Sequence, residues 1–145
     1  MKKREKILIL LFLLDLLLLT QYGPVREDAR TTFSYKKIIF YWFYFYPLAY
    51  FLGGYLLSYF LLLKSKLFLN RKFKRILPIF ILICTILYLS AAIPLTIHVM
   101  HPVLPDSISE MLAYFVMTIY TRYIFIFPIL GFLSAMCFSS KPDRT

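Results

Sequence analysis

The chain has 145 residues, a formal net charge of +10, 61 % hydrophobic residues and 19 % aromatic residues. That length supports one domain, and a domain of this size has too little interior to hide so much apolar surface. An ordinary soluble globule is excluded, and an all-α integral membrane protein, a single membrane domain over 1–145, is expected in its place.

The apolar residues come in four blocks, and the helices expected from them run over 7–22, 38–63, 76–99 and 108–138. A bilayer core of about 30 Å takes about 20 apolar helical residues at about 1.5 Å each. The first block falls short of this and the other three exceed it. Open strands cannot satisfy their backbone groups in lipid, and the blocks lack the alternation of barrel strands. A four-transmembrane-helix bundle follows.

The start, "MKKREK", carries four cations, and "ILILLFLLDLLLL" follows it. A basic start and an apolar run also describe a signal peptide. No small-x-small cleavage site follows, and Asp15 interrupts the run, so an uncleaved anchor is expected. Asp15 lies near mid-span, where a charge is costly and faces a protein interior or a watery cavity.

Residues 23–37, "GPVREDARTTFSYKK", read as a loop, and "FYWFYFYP" over 40–47 opens the second span. Seven consecutive aromatics cover every face of a helix, which suits a collar at the membrane surface rather than a one-sided site. At 100° per residue, Tyr41, Tyr44, Tyr55 and Tyr59 fall on one side. This row could face neighbouring helices along a polar pathway. Ala49 and Gly53, like Gly54 and Ser58, have the spacing of close-packing pairs.

Residues 64–75, "KSKLFLNRKFKR", hold six cations, Lys64, Lys66, Arg71, Lys72, Lys74 and Arg75, and no acid. Interleaved with Leu and Phe, they suit anionic lipid headgroups. Cations placed this way between spans point to lipid and away from nucleic acid. With the N-terminus inside, the N-terminal segment, this loop and the tail place twelve cations inside and four outside. The positive-inside rule then sets both termini in the cytoplasm.

On the third helix, Thr85, Tyr88, Ala92 and Thr96 share a face, which offers close packing or an extension of the polar pathway. His98 and His101 at its end, with Asp106 and Glu110 beyond, offer ligands for Zn or Cu. The general-base Glu of an HExxH motif is absent from this pair. Interfacial histidines without metal, or external pH sensing, are the other readings. Cys84 and Cys137 lie in different spans without a CxxC, as packing thiols.

"DSISE" over 106–110 reads as a helix start, with Ser107 as cap and Glu110 completing a capping box. The fourth block, 30 residues from Ser109 to Phe138, makes about 45 Å of straight helix. It must therefore tilt, protrude or kink at Pro128. Arg122 lies inside it and has three open readings: an arginine snorkelling to the interface, an ion-pair partner for Asp15, or part of a polar pathway.

No phosphate loop, nucleophile elbow or paired catalytic carboxylates are visible, and the pattern implies no cofactor. A non-enzymatic membrane protein acting by association is expected: an accessory, regulatory or immunity-type subunit with a membrane-protein partner, or a homo-oligomer. The alternative is a small oligomeric transporter using Asp15 and Arg122. The Lys-, Ile- and Phe-rich, Gly-poor composition points to an AT-rich bacterial genome and a multi-pass protein of the plasma membrane.

Overall fold

A computed structural model describes Lys3–Thr32, Ser34, Lys36–Lys64 and Arg71–Ser139. The described residues are all-helical, and the helices follow the apolar blocks because a helix alone closes its own backbone hydrogen bonds within each segment. α1 spans Lys3–Thr20 and α2 spans Tyr22–Thr32. Only Gln21 separates them, so most of the segment expected as a loop over 23–37 is helix. Pro24 does not prevent this. It stands in the first turn of α2, where its missing N–H has no intrahelical acceptor to lose. Ala29 of α2 is buried while its charged residues stay exposed.

The second span is a continuous run of three pieces: α3 (Lys36–Phe40), a π-helical turn (Tyr41–Phe45) and α4 (Tyr46–Lys64). In the π turn the Tyr46 N–H donates to the Tyr41 carbonyl, five residues back. Pro47 explains it: in an α register its ring would clash with the Phe43 carbonyl four residues earlier. The wider turn moves that carbonyl aside.

α5 spans Arg71–Met100, with Pro78 and Pro94 inside it. A turn over 101–105 leads to α6 (Asp106–Arg122) and α7 (Ile126–Ser139). The fourth block is therefore two helices, bent by 75°. The break lies at 123–125 and not at Pro128, but Pro128 causes it. A proline disturbs the carbonyl four residues before it, here Ile124, and itself fits the first turn of the next helix. α6 begins at Asp106, with Pro105 as N-cap residue and no side-chain cap bond. The expected Ser107–Glu110 capping box is not formed, since the earlier start puts Ser107 inside the helix.

α4 is the centre of the bundle. α1 runs antiparallel to it, with the Phe12 ring over Gly53 and Tyr22 beside Tyr46. α5 runs antiparallel to the α3–α4 run, with Lys36 at Met100 near one end and Phe43 at Tyr88 further along. α7 runs parallel to α4 in the closest helix pair of the fold. Gly54 lies against the backbone of Pro128, Gly131 lies against the Phe51 carbonyl, and Ser58 Oγ donates to the Phe132 carbonyl at 3.2 Å. Small residues permit this approach. These directions bring the start of α1 and the end of α7 to the same end of the bundle.

Three helical stretches, Arg4–Thr32, Lys36–Leu62 and Arg75–Met100, are long and apolar enough to cross a membrane, and the bent α6–α7 pair makes up to four. The outer surface is apolar, with Leu10, Leu13 and Leu17 of α1 and Ile79, Leu82 and Ile86 of α5 all more than half exposed. Such a surface suits acyl chains and not water.

Candidate functional site

The best-formed cleft, about 330 Å³, lies between the π turn and α4 on one side and α5 and α7 on the others. Phe43, Pro47, Phe51, Tyr88 and Phe127 supply most of its wall, and Thr85 and Cys84 stand on its α5 side. It exists because the π turn and the 75° bend hold helices apart at one level. Tyr88 packs edge-on against Phe127 at 5.1 Å and donates its hydroxyl to the Phe43 carbonyl at 2.8 Å. Close by, Tyr44 bonds Thr96 Oγ1 at 2.9 Å and the Ala92 carbonyl at 3.2 Å, while Thr96 donates to the same carbonyl at 2.8 Å. The polar atoms near the cleft thus satisfy one another, and its surface is chiefly apolar.

The aromatic run at 40–47 is not an all-round collar. Tyr41 and Phe43 are buried, Trp42 Nε1 donates to the Tyr22 hydroxyl at 3.1 Å, and Trp42 stacks on Tyr120. The run faces α2, α5 and α6 because the chain wraps these helices around it. The expected tyrosine row is also divided. Tyr41 meets Tyr22 at 5.5 Å, Tyr44 reaches α5, and Tyr55 and Tyr59 join a cluster with Ala135 and α1 residues. The π turn shifts the helix phase between the first pair and the second. Of the polar face on α5, Tyr88, Ala92 and Thr96 are buried and Thr85 is exposed at the cleft.

Asp15 is only 3 % exposed, and neither carboxylate oxygen has a hydrogen-bond partner. It shares the α1 face of Glu5, Leu8 and Phe12, at helical spacing, toward α4. Arg122 is exposed at the last turn of α6, where a cation complements the helix C-terminus. Lys37 bridges to Asp28 at 3.3 Å, whereas neither Asp15 oxygen has a partner. The expected Asp15–Arg122 pair is therefore absent. The bend at 123–125 makes Arg122 a helix end and removes it from a span interior.

No three His, Cys, Asp or Glu side chains converge on a metal position among the described residues. His98, His101, Asp106 and Glu110 are thus not brought together as one such group. His98 Nδ1 instead accepts the Leu104 N–H at 3.1 Å and closes the turn, while His101 lies beyond the end of α5, exposed. Arg75 of the basic segment is exposed. Lys66 and the side chains of Lys64, Arg71, Lys72 and Lys74 lie outside the described residues. No disulfide joins Cys84 and Cys137.

Two features were not anticipated, the π turn and the α2 helix. Pro47 after an aromatic run was the available signal for the first. For the second it was the Tyr22, Arg26, Arg30 spacing of four. The sequence matches no protein-family model and no curated protein, and the fold matches no solved structure.

Proposed function

We propose that the chain is a non-enzymatic, multi-pass protein of the plasma membrane that acts by association, both termini cytoplasmic, with an apolar helix of a partner membrane protein seated in the cleft between α4, α5 and α7. The cleft itself carries the reading: it is chiefly apolar, the exposed residues Leu48 and Thr85 line it, and its polar neighbours are already bonded. In lipid, helices associate through shape and small-residue contact, and a cleft supplies shape. Anionic headgroups at the basic 64–75 segment complete the setting. The test is a photo-cross-linking residue placed at Leu48 or Thr85 in the cleft, compared with Leu82 on the exposed face of α5. Cross-linking to one discrete protein band from the cleft positions alone is expected. Equal, diffuse cross-linking from all three sinks the reading.

One observation favours a second reading, a small oligomeric transporter. Asp15 is an acid buried without a partner, and such residues in membrane spans mark ion and proton pathways. Transport that survives Asp15→Asn in reconstituted vesicles, or its absence in the wild type, removes that reading.

A further inference from the structure

A second pocket, about 220 Å³, lies between α2 and α3 with its π turn, lined by Tyr22, Arg26, Arg30, Ile38 and Trp42. Two helical rows build it. Tyr22, Arg26 and Arg30 follow one another at steps of four on α2, and Ile38 and Trp42 face them at the same step. Side chains spaced this way stand one above another, about 5–6 Å apart at Cβ. The pocket therefore has two arginine side chains along one wall and an aromatic and aliphatic opposite wall. The Tyr22 hydroxyl is already engaged by Trp42 Nε1 at 3.1 Å, which fixes both rings. Neither arginine has a salt bridge among the described residues. Of the two acids on α2, Asp28 pairs with Lys37, and Glu27, exposed beside Arg26, is not a lining residue of the pocket.

Two arginines in register form a fork that matches the oxygens of a phosphate group, and guanidinium is the side chain suited to such paired bonds. The level is also right. α2 follows directly on the apolar α1, and Tyr22 and Trp42 are of the type that gathers where membrane meets headgroups. We propose that Arg26 and Arg30 hold a phosphate ester anion, with its organic part against Trp42 and Ile38. A phospholipid headgroup and a water-soluble phosphate ester share this chemistry. The site is separate from the α4–α5–α7 cleft and does not depend on it.

Trp42 is the sole tryptophan of the chain, so its fluorescence reports this pocket alone. The full-length protein is held in dodecyl maltoside micelles without phospholipid and titrated with phosphatidylglycerol, with diacylglycerol, and with inorganic phosphate or glycerol phosphate. A saturable emission change with phosphatidylglycerol, absent with diacylglycerol and with the soluble phosphates, assigns a lipid headgroup. A saturable change with the soluble phosphates assigns a free phosphate ester. The double variant Arg26→Gln, Arg30→Gln weakens the midpoint at least about tenfold, as expected when charge-assisted bonds to the phosphate are removed. Lys36→Gln, outside the pocket, leaves it in place. No saturable change with any phosphate, a response matched by diacylglycerol, or an unchanged midpoint in the double variant overturns the proposal. If the double variant fails to fold, the wild-type titrations with phosphatidylglycerol, diacylglycerol and soluble phosphate decide it.

Discussion

Tyr88 donates its hydroxyl to the Phe43 carbonyl at 2.8 Å, and that carbonyl is the one a proline at position 47 denies its usual helical donor. A side chain on α5 thus repairs a backbone defect on the span opposite. Both partners are buried, so water has little access to the carbonyl. Tyr88→Phe keeps the ring against Phe127 and removes only the donor. It is expected to cost about 1–3 kcal/mol, the range for an unsatisfied buried polar group. Tyr44→Phe is expected to cost less, because Thr96 still donates to the Ala92 carbonyl at 2.8 Å. Thermal unfolding of the two variants in detergent checks the order; a larger loss for Tyr44→Phe contradicts it.

The glycines of α4 and α7 are expected to separate cleanly. A Cβ at Gly54 runs into the Pro128 carbonyl oxygen, and one at Gly131 runs into the Phe51 carbonyl oxygen, both backbone atoms that cannot swing aside. A Cβ at Gly53 meets only the Phe12 ring, at 3.6 Å. Gly54→Ala and Gly131→Ala should therefore force α4 and α7 apart and sharply reduce folded protein, while Gly53→Ala leaves it unchanged. Yield and elution profile on size exclusion measure this, and equal behaviour of the three variants would contradict the close α4–α7 packing.

Asp15 and Arg122 are expected to act independently. Arg122→Gln at an exposed helix end should change stability by no more than about 1 kcal/mol, the scale of helix-terminus charge effects. Asp15→Asn keeps the shape of a buried side chain that has no partner to lose, and should be tolerated. Asp15→Arg places a large charge in the α1–α4 contact and should abolish accumulation. Exchanging the two residues restores nothing. Rescue by the exchange, read as protein level in membranes, would show a pair that the fold does not contain.

His98 and His101 are likewise expected to part company. His98→Ala removes the acceptor for the Leu104 N–H and should loosen the 101–105 turn. Faster proteolysis at this turn is the readout. His101→Ala, exposed beyond the helix end, should leave the rate unchanged. Added zinc should not shift the unfolding temperature of the wild type, and a shift lost in both variants would point to a shared metal.

How much was legible in advance varied with the range of the forces involved. The long apolar helices were readable because the hydropathy of some 20 consecutive residues is a local property of each segment. The break near 123–125 was half readable: Pro128 announced a fault, but a proline acts on the carbonyl four residues upstream, so the bend falls before it. The aromatic run misled because a helix wheel counts which faces carry rings and not which neighbours will cover them. Asp15 stood out as an acid within an apolar run, and the pairing considered for it depended on Arg122 lying inside a straight helix.

By itself, then, the sequence determined that the chain is helical, that it divides at its charged segments, and that its outer surface is apolar. These follow from hydropathy and backbone hydrogen bonding, which each segment settles alone. Only the tertiary structure decided that Gly54 and Gly131 bring α4 and α7 together. The same holds for the exchange of the lost Phe43 bond for a tyrosine on α5, and for the placing of Arg26 and Arg30 opposite Trp42. Each of these joins residues distant in the chain, and such contacts depend on how helix faces pack, which periodicity within one helix does not contain.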